Sequence, residues 1–198
     1  MIKTIIFDNN GVLVTSNEET GFNAITKETG LDTGEFKPVY DELAKNVDKG
    51  QITTAEFFRE IVRRFGLKID SGNLQDIIYG SFVRKEETIS FVKNLKDKYE
   101  IALLTNFGDA FWGLDKEWRV TELFDKDKVF LSCEMKMRKP DPDIFLKTLR
   151  TLKRRPEETI FIDDKKENIK AAEKLGIIGI IFKNVDQLKQ ELKKYITI

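Results

Sequence analysis

The sequence predicts an α/β fold in which a five-stranded parallel sheet is flanked by helices and carries a helical insert after its first strand. Short apolar, β-branched runs, which are typical of strands buried on both faces, open the chain and recur from residue 101 onward. Segments of helical periodicity separate the later runs, and strands that alternate with helices form parallel sheets with right-handed crossovers. Between the first run and the second, helical periodicity continues for about 70 residues, which predicts the insert.

The first predicted strand follows Lys3 and stops at Asp8, after which come two asparagines and Gly11. In open α/β sheets, ligands bind just beyond the carboxyl ends of the strands, at the point where the strand order reverses. Asp8 is therefore a candidate site residue. A lone aspartate at this place can also be a cap or a turn residue, so its role depends on what the later strands carry.

The insert, residues 15–85, is expected to lie over the carboxyl edge of the sheet, whereas residues 1–14 and 86–198 form the core. Its clearest helix begins at Thr53 and stops at Gly66, because Thr53 and Glu56 form a capping box. Four helices are predicted in the insert, near residues 18–29, 34–47, 53–65 and 72–82. Its aromatic residues have helical spacing, which favours core packing over the lining of a pocket. They are Phe22, Phe36, Tyr40, Phe57 and Phe65.

Strands and helices alternate from residue 86 onward. The strands are predicted at 101–106, 129–132, 159–164 and 177–181, and the helices at 86–98, 142–152, 166–175 and the chain's last segment. Asp141 suits an N-cap, with Pro142 at the first helical position. The stretch from Phe107 to Trp118 is interpreted as an irregular aromatic segment. Phe22, Trp112 and Trp118 are able to stack on a ring of a ligand, although a core role fits them as well.

The composition excludes several classes of function. The chain has 34 basic and 34 acidic residues among 198, and this balance argues against binding nucleic acid through its phosphates. No apolar segment is long enough to cross a membrane, and the first apolar run breaks too early for a secretory signal. The single cysteine, Cys133, cannot form a disulfide within the chain, so we expect a reducing, cytoplasmic location.

The chain contains no histidine. This absence removes Ser-His-Asp and Cys-His catalysis and every zinc site that uses histidine. The remaining chemical groups are carboxylates, lysines, hydroxyls and amides, together with any hard cation that oxygen ligands hold.

Polar side chains follow the ends of four predicted strands. They are Asp8 with Asn10, Thr105 with Asn106, Lys139, and Asp163 with Asp164. Taken separately, each has an ordinary structural explanation: a surface lysine before a capped helix, a hydroxyl bonded to the backbone, or a helix N-cap. Their occurrence together, in this order on an alternating chain, favours one shared site.

This order resembles the four motifs of the haloacid dehalogenase superfamily. Phe-Asp-Asn-Asn-Gly-Val-Leu is similar to the first motif, Leu-Leu-Thr-Asn to the second, Arg-Lys-Pro-Asp-Pro to the third and Phe-Ile-Asp-Asp to the fourth. The resemblance spans nearly the whole chain and is closest to small sugar-phosphate phosphatases and the phosphatase domain of epoxide hydrolases. It implies a Rossmann-like sheet with the first and fourth strands side by side, and a small α-helical cap.

The resemblance further implies a Mg²⁺-dependent phosphatase that acts on a small phosphorylated metabolite. Asp8 is then both the nucleophile, forming an aspartyl-phosphate, and a ligand of the ion. Asp164 is a second ligand, and Asn10 contributes its backbone carbonyl. Asp163 either binds the ion or orients the groups around it. Carboxylates this close cannot all stay ionised unless a cation lies between them, and oxygen ligands favour Mg²⁺.

The second and third motifs imply groups that hold the phosphoryl oxygens. The Lys139 ammonium and the Thr105 hydroxyl would stabilise charge on those oxygens, and Asn106 belongs to the same set of catalytic candidates. Lys139 would also keep the neighbouring carboxylates ionised.

The sequence departs from the family at Asn10. Phosphatases of this family usually carry aspartate there, which protonates the leaving alkoxide and later activates water. An amide cannot carry a proton, and general acid–base catalysis is typically worth about 10²–10⁴-fold. We therefore expect esters with good leaving groups to react far faster than alkyl esters.

Two other functions compete with a phosphatase. Asn10 also suits a catalytically weak phosphate-binding or regulatory protein with the same fold. A receiver-like signalling domain would need its acid pair on the first strand and its acceptor aspartate on the third, without a helical insert. The order in this chain is different, so we discount the receiver.

Overall fold

A computed structural model of the chain describes residues 1–15 and 18–198, and it confirms the predicted α/β fold. The sheet is parallel, five-stranded and ordered β3-β2-β1-β4-β5. Its strands are β1 Thr4–Phe7, β2 Glu100–Thr105, β3 Val129–Leu131, β4 Thr159–Asp163 and β5 Ile178–Ile181. The central strand β1 lies between β2 and β4, as the resemblance implies, and Phe7 pairs with Leu103 on one side and Ile162 on the other. The carboxyl ends of three strands therefore meet beside Asp8.

Helices cover both faces of the sheet. The helices after the insert are α5 Glu86–Lys96, α6 Phe111–Trp118, α7 Ser132–Met135, α8 Pro142–Leu152, α9 Lys166–Glu173 and α10 Val185–Leu192. Along β1, Ile5 and Phe7 pack on the side of α5 and α10, whereas Ile6 packs on the side of α8 and α9. Burial on both faces explains why the strands have continuous apolar sequences instead of alternating ones.

Four helices lie between β1 and α5, and we call them the cap. They are α1 Glu18–Thr29, α2 Thr33–Asp48, α3 Thr54–Phe65 and α4 Ser71–Tyr79. The predicted capping box of α3 is confirmed, because the Thr53 hydroxyl oxygen accepts from the Glu56 N–H at 3.2 Å and the Glu56 carboxylate accepts from the Thr53 N–H at 2.8 Å. Helix α3 ends at Gly66, whose φ of 59° is left-handed.

The aromatic residues of the cap form its core. The ring centroids of Phe22 and Phe36 are 5.2 Å apart in an edge-to-face contact, and Tyr40 and Phe57 continue the cluster. Tyr40 and Phe57 also line a cavity that faces the sheet. These two residues therefore belong both to the core of the cap and to the lining of a pocket. The division into core and cap at residues 15 and 85 stays a prediction.

The interpretation of residues 107–118 as irregular is wrong, because helix α6 occupies most of that stretch. Phe111 and Trp118 are buried on the side of the helix that faces the core, seven residues apart. Trp118 packs against Phe82 and Phe107, and the Trp112 indole donates to Glu134 at 2.8 Å. Neither tryptophan lines the cavity beside the sheet, so these contacts assign them to packing and to the surface.

Two chain segments connect the cap to the rest of the fold and run side by side. Val14 and Arg84 form an antiparallel bridge, and the Lys85 N–H donates to the Leu13 carbonyl at 2.9 Å. None of the helices in residues 1–15 and 18–198 combines the length and the apolar character needed to cross a membrane.

Candidate active site

The turn after β1 places Asp8 at the edge of the sheet. The Asp8 N–H donates to the Ile162 carbonyl at 2.9 Å and so extends the pairing with β4. Gly11 closes the turn with a left-handed φ of 83°, and a Cβ atom there would lie 2.2 Å from Asp164 Oδ2. Only glycine therefore lets the turn come this close to the end of β4.

Lys139 is buried between two carboxylates. Its Nζ lies 2.8 Å from Asp8 Oδ1 and 2.7 Å from Asp163 Oδ2, and its side chain is 1% exposed. The alternative of a surface lysine is therefore wrong. Asn106 fixes the lysine's backbone, because its side-chain amide donates to the Lys139 carbonyl and accepts from the Lys139 N–H, both at 2.9 Å.

The two adjacent aspartates after β4 have different surroundings. Asp163 accepts from Lys139 Nζ, from the Lys165 N–H at 2.7 Å and from the Asn168 amide at 2.9 and 3.1 Å. In contrast, Asp164 Oδ1 is buried and has no hydrogen-bond partner among the described residues. Asp163 is thus occupied in orienting its neighbours, and Asp164 keeps an oxygen for a ligand. Sequence reasoning did not assign Asn168 this role, although its place five residues after Asp163 was a usable signal.

Thr105 ends strand β2 and is fully buried. Its hydroxyl oxygen has no hydrogen-bond partner in the part of the chain that the structure describes. An unpartnered buried hydroxyl is costly, and a bound anion would remove that cost. Asn10 lies on the turn after β1 with its side-chain oxygen accepting from Asn9 at 3.1 Å, and it lines the cavity under the cap.

The carboxylates at the site repel one another. Burial raises the pKa of Asp8 to about 7, the charges of Asp163 and Asp164 add to this effect, and Lys139 opposes it. Burial also raises the pKa of Asp164. For Lys139, burial disfavours the charge, but Asp163 and Asp8 outweigh burial and raise its pKa. Among the described residues, three carboxylates therefore share one buried ammonium, that of Lys139, which leaves the cluster short of buried positive charge.

These residues fit a divalent cation. Asp8, Asp163 and Asp164 each offer a carboxylate oxygen, and the three oxygens lie within 4.8 Å of one another. The donor set is all oxygen, which suits Mg²⁺, and Asp164 keeps one carboxylate oxygen without a hydrogen-bond partner among the described residues. The assignment of Asp8, Asn10, Asp163 and Asp164 as metal ligands stays a prediction.

A cavity of about 410 Å³ lies between the cap and this edge of the sheet. Asn10 and Asn106 line it from the sheet, and Asp48 lines it from the end of cap helix α2. Asp48 forms an ion pair with Arg138, with 3.2 Å between Oδ2 and Nε. Sequence reasoning missed this pair, because nothing in the periodicity of α2 shows which residue of its last turn reaches the other side of the cavity.

The chain belongs to the haloacid dehalogenase-like hydrolases. The sequence model of that family matches residues 2–176. The chain is 26% identical to D-ribitol-5-phosphate phosphatase of Bacteroides thetaiotaomicron over an alignment of 204 residues, which covers 97% of both chains. It is also 32% identical over 96 residues to flavin mononucleotide hydrolase 1 of Arabidopsis thaliana, a match that covers 48% of this chain and 38% of that protein.

Solved structures agree with the family and the fold. A haloacid dehalogenase family enzyme from Bacteroides thetaiotaomicron, crystallised with magnesium and inorganic phosphate, superposes with a TM-score of 0.82 at 29% identity and covers 92% of this chain and 95% of that one. L-2-haloacid dehalogenase from Xanthobacter autotrophicus superposes with a TM-score of 0.69 at 18% identity, covering 98% and 84%. The second likeness concerns the fold alone.

Proposed function

We propose that the chain is a Mg²⁺-dependent phosphomonoester hydrolase that acts on a small phosphorylated metabolite through an aspartyl-phosphate on Asp8. The observation that carries the proposal is the buried Lys139 ammonium between Asp8 and Asp163, beside the unpartnered carboxylate oxygen of Asp164. A buried, paired nucleophile next to an open metal ligand is what phosphoryl transfer to a carboxylate requires.

Asp8, Asp164 and the Asn10 backbone carbonyl would hold the ion. Bound Mg²⁺ supplies positive charge that keeps the carboxylates ionised and neutralises the phosphoryl oxygens. Asp8 attacks phosphorus, so a new P–O bond forms while the bond to the leaving alcohol breaks. Water then attacks the aspartyl-phosphate, which releases phosphate and restores the Asp8 carboxylate.

The residues at the ends of the other strands bind the phosphoryl group. The Lys139 ammonium and the Thr105 hydroxyl would donate to its oxygens, and both groups are already buried. Asn106 positions Lys139 through two backbone hydrogen bonds, and Asp163 positions its ammonium.

The cavity limits the substrate to a small molecule. Its volume of about 410 Å³ suits a phosphate joined to a short carbon chain or a single ring. Its lining mixes amides, charged groups and aromatic rings, which matches an alcohol part with several hydroxyls. The similarity to a ribitol-phosphate phosphatase over 97% of the chain supports a polyol or sugar phosphate.

A screen of phosphorylated metabolites with Mg²⁺ tests this function. We expect phosphate release by the wild type, its loss with EDTA, and its loss in Asp8→Asn with the fold retained. Asp127→Asn, at an exposed aspartate just before the amino end of β3 and so at the sheet edge opposite the site, is the matched control and should behave as the wild type. Full activity in Asp8→Asn would contradict the proposal.

A catalytically weak phosphate-binding or regulatory protein is the second candidate, and Asn10 favours it because an amide cannot carry a proton. Beryllium trifluoride, a phosphoryl mimic, separates the two functions. Trapping on Asp8 without turnover of any ester in the screen would favour the binding protein. Faster hydrolysis of acetyl phosphate than of alkyl phosphates would favour the hydrolase with a weakened acid–base step.

A further inference from the structure

The reaction proposed above needs a proton donor that the turn after β1 does not supply. Asn10 has no ionisable group, and Lys139 and Asp163 are buried and paired with each other. Alkoxide leaving groups depart slowly without a proton, so any hydrolysis of alkyl esters requires another acid in the cavity.

Three carboxylates line the described part of the cavity, and Asp48 differs from the other two. Asp41 and Glu167 are exposed, and Asp41 pairs with Lys37 in solvent with 2.9 Å between the charged atoms. The Asp48 side chain is only 16% exposed. A carboxyl that holds a proton near neutral pH must be shielded from water, and Asp48 is the shielded one.

Asp48 is also tied to the phosphate-binding side of the cavity. Arg138 Nε donates to Asp48 Oδ2 at 3.2 Å. Arg138 directly precedes Lys139, whose Nζ contacts Asp8. The pair therefore holds a carboxyl of the cap against the residue that directly precedes Lys139.

The surroundings of Asp48 oppose its ionisation. Burial raises its pKa, while the nearby charges of Arg138, Lys165 and Lys139 pull the pKa down without cancelling the effect of burial. The Tyr79 phenol also lies near it, and burial keeps that phenol protonated by raising its pKa. Asp48 is thus the cavity carboxyl best suited to alternate between the two protonation states.

We propose that Asp48 is the acid and base of the reaction, delivered to the leaving oxygen by the cap. When Asp8 attacks phosphorus, the P–O bond to the leaving alcohol breaks, and its electron pair takes the proton of the Asp48 carboxyl. The Asp48 carboxylate then accepts a proton from the water that attacks the aspartyl-phosphate, and the original state returns. This inference rests on the proposed phosphatase function.

The test compares kcat/KM for p-nitrophenyl phosphate and for an alkyl phosphate such as ribitol 5-phosphate. Asp48→Asn should lower the alkyl value by about 10²-fold or more and the aryl value by less than about threefold, because a nitrophenolate leaves without a proton. Asp48→Glu should recover part of the alkyl activity. Glu42→Gln is the matched control, since Glu42 is an exposed carboxylate of the same helix that does not line the cavity.

An equal loss on both esters would overturn the inference and leave Asp48 as a docking or binding residue. The wild type supplies a second measurement if Asp48→Asn does not fold. Its ratio of alkyl to aryl kcat/KM should fall as the pH rises and the acid loses its proton, and a flat ratio would also overturn the inference. If the wild type hydrolyses neither ester, the proposed function itself fails, so the two failures are distinguishable.

Discussion

The site at the sheet edge and the cap above it are stabilised in different ways. At the sheet edge, Lys139 is buried between Asp8 and Asp163, and losing one partner leaves a buried charge uncompensated. The cap packs through its aromatic core and touches the site side through exposed polar pairs, such as Lys49 with Asp141, whose side chains are 38% and 51% exposed. Breaking a pair of the second kind costs much less. The groups proposed to attack and to hold the phosphoryl group are therefore fixed at the sheet, whereas the proposed acid, Asp48, and the other cavity-lining contacts of the cap can change independently.

Lys139→Met should produce the largest effect. The variant leaves Asp8 and Asp163 facing each other in a buried place, so we expect a loss of about 3–5 kcal/mol in the free energy of unfolding without metal. We expect activity to fall by about 10³-fold or more, because the phosphoryl oxygens lose a buried charged donor. Urea unfolding and kcat/KM on p-nitrophenyl phosphate measure the two losses.

The control for this variant is Lys166→Met, at an exposed lysine that begins helix α9. It should change stability by less than about 0.5 kcal/mol. If Lys139→Met unfolded like the wild type, the two buried ion pairs would have no net value for stability.

The second largest effect is expected in the pH dependence of the free energy of unfolding, which reports on the buried Asp8 carboxyl at the sheet edge. Burial raises the pKa of Asp8 from 3.8 to about 7, so the folded chain binds this proton more tightly than the unfolded chain does. The stability that this proton gives is complete below about pH 4 and is lost as the pH rises through 7. The metal-free protein should therefore lose on the order of 3 kcal/mol between pH 4 and pH 7. Urea unfolding across that range with EDTA measures it.

Asp8→Asn is the comparison for this pH series. The variant has no proton to lose at position 8, so its slope between pH 4 and pH 7 should be much smaller. Hydrogen bonds from arginines hold the pKa values of Glu60 and Glu158 at about 2, so these carboxyls have finished titrating below this range. Asp48 and Asp164, whose pKa values burial also raises, supply the slope that remains. Equal slopes in the two proteins would contradict the assignment of the raised pKa to Asp8.

Asn10→Asp gives the sheet edge a carboxyl that can carry a proton. A carboxyl on the turn after β1 should raise the hydrolysis of alkyl phosphates by about tenfold or more. The gain should be larger in an Asp48→Asn background, because there the new carboxyl replaces a missing acid, whereas beside Asp48 it duplicates one. Steady-state kinetics of the two single variants and the double variant measure it. No gain in either background would show that a proton does not limit the reaction.

The sheet and its site could be predicted because strand ends have fixed relations. Once β1 and β4 are neighbours, Asp8 and the pair Asp163 and Asp164 must meet, since parallel strands bring their carboxyl ends to one edge. The burial of Lys139 could not be predicted, because a lysine before a capped helix usually lies in solvent.

The cap contacts could not be predicted from local patterns. Helix α3 was marked by its capping box, but the partner of Thr54 is Asp109, 55 residues away. Helix α6 was missed since a glycine and three charged residues lie between Phe111 and Trp118. The contact of Thr54 and the formation of helix α6 both depend on tertiary packing, which the spacing of residues along the chain does not show.

Asp109→Ala should give the smallest of these effects. The Asp109 carboxylate accepts from the Thr54 N–H at 2.7 Å and from the Thr54 hydroxyl at 2.6 Å, so it ties the first turn of cap helix α3 to the loop after β2. Burial opposes its ionisation, but these hydrogen bonds prevail and lower the pKa of Asp109. We expect a loss of about 1–2 kcal/mol in stability.

The kinetic consequence of Asp109→Ala follows from the place of this contact in the cap. The KM for a substrate that fills the cavity should rise several-fold, whereas kcat/KM for acetyl phosphate, which is too small to need the cap, should stay within about twofold of the wild type. Thr54→Val removes the hydroxyl and keeps the N–H, so its effect should be smaller, and the two losses should be less than additive in the double variant. If acetyl phosphate hydrolysis fell as much as hydrolysis of the larger substrate, the cap would act on the groups at the sheet edge that attack and hold the phosphoryl group, and the contrast between the two regions would not hold.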